Sequence, residues 1–181
     1  MKIFISILAI SLFYSFADAQ QPSQVKYFAD KTQSSITYAM NHPLHAWEGV
    51  SREINSVILT DANKNVITQA AVSVKISSFD SQNANRDSHC IEVTEAIKYP
   101  NISFASTSVK QNGNILEITG KLTFHGITKE ITLTAERKTI NNQVQISGSF
   151  SVNMTDYNID PPSLMAMKTD NEIKLMFSLV Y

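Results

Sequence analysis

Apolar and polar residues alternate with period two through most of the chain, the mark of strands with one wet and one dry face. The pattern is cleanest over residues 116–124. There Leu116, Ile118, Gly120, Leu122 and Phe124 share one face, and Glu117, Thr119, Lys121 and Thr123 share the other. Val144, Ile146, Gly148, Phe150 and Val152 repeat it, and so do Ile173, Leu175, Phe177, Leu179 and Tyr181. Shorter versions occur at Ile36, Tyr38 and Met40, at Val72, Val74 and Ile76, and at Ile131, Leu133 and Ala135. Turn chemistry separates these runs. Asn112-Gly113 suits a type I′ hairpin, whose two central residues need positive φ, and Asn141-Asn142 is a weaker form of the same signal. His125-Gly126 divides two strand patterns so closely that a tight reversal is expected. Strands joined in this way form an antiparallel meander. About eight strands with one dry face must bring those faces together, as a sandwich or a closed barrel, and closure also removes exposed edges.

Two stretches depart from the alternation. Residues 83–99 predict the one short helix, with Asp87 or Ser88 as N-cap and Pro100 as its stop. Residues 155–170, with Pro161-Pro162, Met165 and Met167, predict a long loop at a rim. No repeat or linker divides the rest, which predicts one domain. The first nineteen residues read as an export leader: Lys2, an apolar run over residues 3–13, then Ala17-Asp18-Ala19 before Gln20. The run is too short to span a bilayer, which takes about 20 residues. The expectation is therefore a leader over 1–19 and one secreted β domain over 20–181, with no integral membrane segment in the mature chain.

Charge narrows the partners. Fifteen Lys and Arg against sixteen Asp and Glu give a formal net charge of −1, which argues against nucleic acid. Cys90 is the only cysteine, so no intramolecular disulfide forms, and a small buried hydrophobe is its expected role. His42, His45, His89 and His125 raise the question of a metal. They lack cysteine companions and paired carboxylates, so neither metal nor cofactor is expected. Arg86-Asp87 reads as a local ion pair that orders a loop, or else as a cation at a pocket mouth. Met154, Met165, Met167 and Met176 suit flexible packing rather than copper. No catalytic signature is present, and binding rather than catalysis is expected. The alternatives are an enzyme, or a stress-response interaction protein, using the barrel as scaffold. Alternation alone leaves open whether the dry face is simply packed core or the wall of a cavity.

Three motifs add a resemblance. Asn85-Arg86-Asp87-Ser88-His89, then Tyr99-Pro100-x-Ile102-x-Phe104, then Thr119-Gly120-x-Leu122-Thr123-x-His125-Gly126-x-Thr128-Lys129 resemble, in order and spacing, the YceI family of secreted bacterial proteins. The similarity runs from about Tyr27 to Tyr181. It implies an all-β, lipocalin-like antiparallel barrel of about eight strands with a short helix, a lumen that holds a long isoprenoid or other apolar lipid, and periplasmic residence. On that implication Tyr38, Met40, Trp47, Phe104, Leu122, Phe124, Phe150 and Phe177 are ligand contacts, with Arg86 at the ligand's polar end. His42 and Gly49 fit the family's pattern, whereas Val50 and Ser51 stand where it has phenylalanine.

Overall fold

The computed structural model describes residues 24–63 and 65–181; the leader assigned to residues 1–19 lies outside them. The strands are β1 (Gln24–Phe28), β2 (Ser35–His42), β3 (His45–Ser51), β4 (Ile54–Asp61), β5 (Val66–Lys75), β6 (Asn101–Asn112), β7 (Ile115–Phe124), β8 (Ile127–Ile140), β9 (Gln143–Asn153), β10 (Ser163–Leu164), β11 (Met167–Lys168) and β12 (Glu172–Val180). One helix, α1 (Ala84–Val93), and two 3₁₀ turns, Ile76–Ser78 and Met154–Tyr157, interrupt them. Ten strands form one antiparallel sheet in the order β1-β4-β5-β6-β7-β8-β9-β12-β2-β3, while β10 and β11 pair separately as a ribbon.

The two ends of that order are joined through the chain itself. β1 runs into β2 and β3 into β4, and both halves of this long hairpin pair with each other, Phe28 opposite Val57 and Ile36 opposite Ser51. β2 then pairs with β12, and β4 with β5. Counting β1–β2 and β3–β4 as bent staves, with β5, β6, β7, β8, β9 and β12, the sheet curls into a ring of eight, in keeping with the expected strand number. The strand faces follow the alternation: Leu116, Ile118, Leu122 and Phe124 are buried, as are Ile36, Tyr38 and Met40.

The kink between β1 and β2 is built by Asp30. Its carboxylate accepts from Thr32 N at 2.8 Å, Thr32 Oγ1 at 2.7 Å and Gln33 Nε2 at 2.7 Å. Its own N–H donates to Val180 O at 2.7 Å, and Val180 N–H donates to the buried Ser34 Oγ at 3.1 Å. The seam is thus closed onto β12 by a turn that the carboxylate holds in shape. Hydrogen bonds from the Thr32 and Gln33 side chains hold the Asp30 carboxyl down at about 2, from an ordinary 3.8.

Opposite the seam the ring is looser. β8 pairs with β9 only from Ala135 opposite Gly148 to Ile140 opposite Gln143. Beyond that point β8 pairs with β7 alone and β9 with β12 alone. The 3₁₀ turn Met154–Tyr157 bridges the upper end of this split. His125 Nδ1–H donates to Tyr157 O at 2.8 Å, and Lys129 meets Asp156 at 2.8 Å.

Several local expectations change. The β6–β7 loop consists of Gly113-Asn114, one residue later than expected, and only Gly113 has positive φ, at +59°. That suits a type II′ turn, which needs glycine only at its first central position. Asn141 and Asn142, at +50° and +63°, do form the I′ geometry, and His125-Gly126 makes the tight reversal. The N-cap of α1 is Asn83, whose side chain accepts from Arg86 N, rather than Asp87 or Ser88. The helix stops at Val93, well before Pro100. Thr94 Oγ1 donates to Cys90 O at 2.6 Å, and Glu95 then takes a positive φ that breaks the helical run. Ile76 leaves β5 for the 3₁₀ turn. The stretch read as a long loop holds the end of a 3₁₀ turn and the β10–β11 ribbon.

Two outcomes follow. Replacing Asp30 with alanine lowers the thermal midpoint near neutral pH. Because the folded carboxyl is more acidic than the unfolded one, its contribution is complete above pH 3.8 and is lost as pH falls through about 2. Thermal melts of Asp30→Ala and wild type should therefore converge towards pH 2. At Gly120, an added Cβ would stand 2.5 Å from both Ala105 O and the Phe104 ring. Gly120→Ala should then cost about 1–3 kcal/mol in denaturant unfolding, since a backbone carbonyl cannot step aside as a flexible side chain can.

Candidate functional site

The inward faces do not fill the ring. Two apolar compartments lie end to end inside it. The upper one, under α1, leaves about 110 Å3 of open space; the lower one, towards the Gly113-Asn114 and Asn141-Asn142 turns, leaves about 90 Å3. Pockets that enclose drug-sized ligands run from about 300 to 1,000 Å3, so each compartment is a narrow channel that a slender chain, rather than a compact molecule, would suit. The lower compartment is walled by strand residues, by Phe79 and by Tyr181, whose hydroxyl bonds Ser56 Oγ. Burial pushes the Tyr181 phenol up to about 12, so it stays a neutral hydrogen-bonding group.

The nine residues read as ligand contacts are distributed over both. Tyr38, Met40, Trp47, Arg86 and Phe124 line the upper compartment, Phe104, Phe150 and Phe177 line the lower, and Leu122 lines both. Period two explains the strand members: each sits on the inward phase of its strand. Gly49 faces Tyr38 across the β2–β3 pair, and a Cβ there would collide with the Tyr38 ring, so glycine makes room for the phenol.

Helix α1 supplies a wall that strand reasoning alone does not reveal. Arg86, Cys90 and Val93 face the upper compartment at helical spacing. The expected Arg86–Asp87 ion pair does not form. Asp87 instead accepts from Ser81 N at 3.1 Å and Ser81 Oγ at 2.6 Å, pinning the segment before the helix. Arg86 extends over Trp47, its guanidinium carbon 5.3 Å from the ring centroid, with Nη1 3.4 Å from Ser81 O. Adjacent residues on a helix point in different directions, so one turns inward and the other back along the loop.

The remaining histidines have structural partners. His42 Nε2–H donates to Met167 O at 3.1 Å and its Nδ1 accepts from Leu44 N at 3.2 Å, which ties the β10–β11 ribbon to the β2–β3 turn. His45 stacks between His42 and Trp47, with ring centroids 5.6 and 5.3 Å away. His125 packs against Tyr99 at 4.9 Å, and its Nε2 lies 3.6 Å from Glu95. Among the described residues no three His, Cys, Asp or Glu side chains are grouped to hold a metal ion, and no helix is long and apolar enough to cross a membrane.

Two titratable groups border the upper compartment in their neutral forms. Burial, with the Cys90 thiol beside it, pushes the Tyr38 phenol up to about 12. Burial, with Asp87 nearby, pushes the Cys90 thiol from 9.0 up to about 11. Five further wall residues were not among the candidate contacts: Ile76 and Leu175, though on dry faces read from the alternation, and Phe79, Ile102 and Met154. Phe79 had the weakest signal, a lone aromatic in the polar run 77–82 with no alternation around it.

A closed antiparallel barrel with an apolar lumen, roofed by one helix, defines the lipocalin-like class of barrels. Within that class the chain belongs to the YceI family: the family model for a YceI-like domain matches residues 27–181. Protein YceI of Escherichia coli O157:H7 is 32% identical over 104 residues, 56% of this chain and 54% of that protein. The matched stretch thus spans about half the length of such curated relatives. Among solved structures, BcnA of Burkholderia cenocepacia superposes with a TM-score of 0.76 at 19% identity, over 84% of this chain and 99% of that one. A polyisoprenoid binding domain from Saccharophagus degradans superposes at 0.69 with 11% identity, over 89% and 98%. These two likenesses are of fold.

The raised thiol gives a direct check. With the thiol at about 11 rather than 9.0, about a hundredfold less thiolate is present at pH 8. Alkylation of Cys90 by iodoacetamide should therefore run about a hundredfold slower in the native protein than in urea-unfolded chain. Equal rates would show that Cys90 is neither buried nor shifted.

Proposed function

We propose that the protein is an exported binding protein that holds the long apolar chain of an isoprenoid or similar lipid along the barrel axis. The observation that carries this reading is the pair of end-to-end apolar compartments, a shape suited to an extended chain rather than a compact molecule. Burial of apolar surface, worth about 25 cal/mol per Å2, supplies the driving force. The name of the Saccharophagus degradans domain supports the ligand class, and family membership together with the leader-like residues 1–19 supports export to the periplasm or beyond. Tyr38 and Cys90, both held protonated, favour binding over nucleophilic chemistry.

Arg86 is assigned to the polar end of the ligand. It stacks on Trp47, carries no ion pair with its neighbour Asp87, and lies where α1 meets the upper compartment. A charge-assisted hydrogen bond there contributes about 1.5–3 kcal/mol, or roughly ten- to a hundredfold in affinity. Native mass spectrometry of the protein exported from its full-length precursor tests the reading as a whole: a discrete lipid mass should co-purify. Bare protein that also stays bare after incubation with a total lipid extract would refute it. Arg86→Ala should weaken binding of a lipid with a phosphate or carbonyl head by ten- to a hundredfold and barely move the thermal midpoint. A variant that melts early yet binds unchanged would make Arg86 scaffolding.

A further inference from the structure

We infer that Phe79 is a chain-length gate between the two compartments, an inference that rests on the lumen's being a site for an apolar chain. The compartments share four lining residues: Phe79, Ile102, Leu122 and Leu175. These form the waist through which a chain lying under α1 must pass to reach the lower half.

Three of the four are fixed by the sheet. Ile102 lies on β6 opposite Val74, Leu122 on β7 between Phe104 and Lys129, and Leu175 on β12 between Tyr38 and Phe150. Each belongs to a strand with a partner strand on both sides, so none can withdraw without disturbing the barrel. Phe79 is different. It follows the 3₁₀ turn Ile76–Ser78 and lies outside every strand. Its segment occupies the place beside β3 that β5 leaves when the chain turns away. The paired bonds Val50 N to Asp80 O at 2.9 Å and Asp80 N to Val50 O at 3.0 Å anchor the next residue to the barrel wall.

That anchor directs the Phe79 ring inward, where it is 8% exposed and meets the Tyr38 ring edge-on at 5.4 Å between centroids. Tyr38 in turn fits into the space left by Gly49. The ring therefore packs on Tyr38 within the upper core cluster and reaches the waist from a segment that belongs to no strand. An aromatic in this position narrows the passage, whereas a smaller side chain joins the compartments. The size of residue 79 thus sets how far down the barrel a chain can lie.

The test uses a series of all-trans prenyl alcohols, from geraniol through geranylgeraniol to a nonaprenyl alcohol. They are offered together in detergent micelles to wild type, Phe79→Ala, Phe79→Leu and Phe79→Trp, and bound masses are read by native mass spectrometry. Geraniol, short enough for the upper compartment, serves as the internal reference, and the readout for each variant is the ratio of long to short alcohol bound. Phe79→Ala should shift preference towards the nonaprenyl alcohol by about tenfold relative to geraniol. Phe79→Leu should lie between it and wild type, and Phe79→Trp should shift the preference the other way. Phe79→Leu keeps most of the buried volume, so it reads the gate even where Phe79→Ala is poorly folded, as thermal melts would reveal. Identical length profiles in the folded variants would overturn the gate while leaving the binding site intact. Failure of wild type to bind any member of the series would instead count against the isoprenoid reading itself.

Discussion

A sheet that closes on itself leaves half of its side chains with nowhere to go but inward. Closure satisfies much of the backbone: neighbouring staves pair around the ring, apart from stretches where β8 parts from β9 and β5 from β6. It also fixes a circumference that inward residues of ordinary size do not fill. The alternation that makes each strand two-faced therefore also makes the cavity. Two apolar clusters, one towards each end, line the wall, and the empty space between their side chains is the feature on which the functional reading rests.

The polar residues that stand out in the sequence serve mainly to hold loops against this ring. Asp30 shapes the kink that closes the seam. His42 fastens the β10–β11 ribbon, and His125 fastens the 3₁₀ turn that bridges the split between β8 and β9. Asp87 fastens the segment that leads into α1. Each works through hydrogen bonds to backbone or to a neighbouring polar side chain, which fixes a loop without burying an unpaired charge. Arg86 is the exception, turned over Trp47 towards the lumen rather than towards Asp87.

The strands were the most legible part of the chain. β7, β9 and β12 are long, and their inward phases can be read residue by residue, so Leu122, Phe124, Phe150 and Phe177 could be placed inside from alternation alone. The resemblance carried by the 85–89, 99–104 and 119–129 motifs closed the choice between sandwich and barrel. β4 was harder to see because Val57, Ile58 and Leu59 run together and blur the period. Turn details were off by a residue at Gly113, since hairpin registers depend on pairing across the whole ladder. The N-cap of α1 went to Asn83 because the chain enters the helix earlier than its first acidic residue suggests. Phe79 was invisible for a plainer reason: it reaches the lumen from a connection, where no periodicity records which way a side chain points.

Trp47 is the only tryptophan in the chain and borders the upper compartment, so its fluorescence reports directly on whether the lumen is a binding site. Titration of delipidated protein with geranylgeraniol should shift the Trp47 emission to shorter wavelength and saturate at one ligand per chain, as the chain displaces water from beside the ring. Emission that stays unchanged up to the solubility limit of the alcohol, in protein whose melting curve shows it folded, would contradict the account and make the barrel interior a core rather than a site.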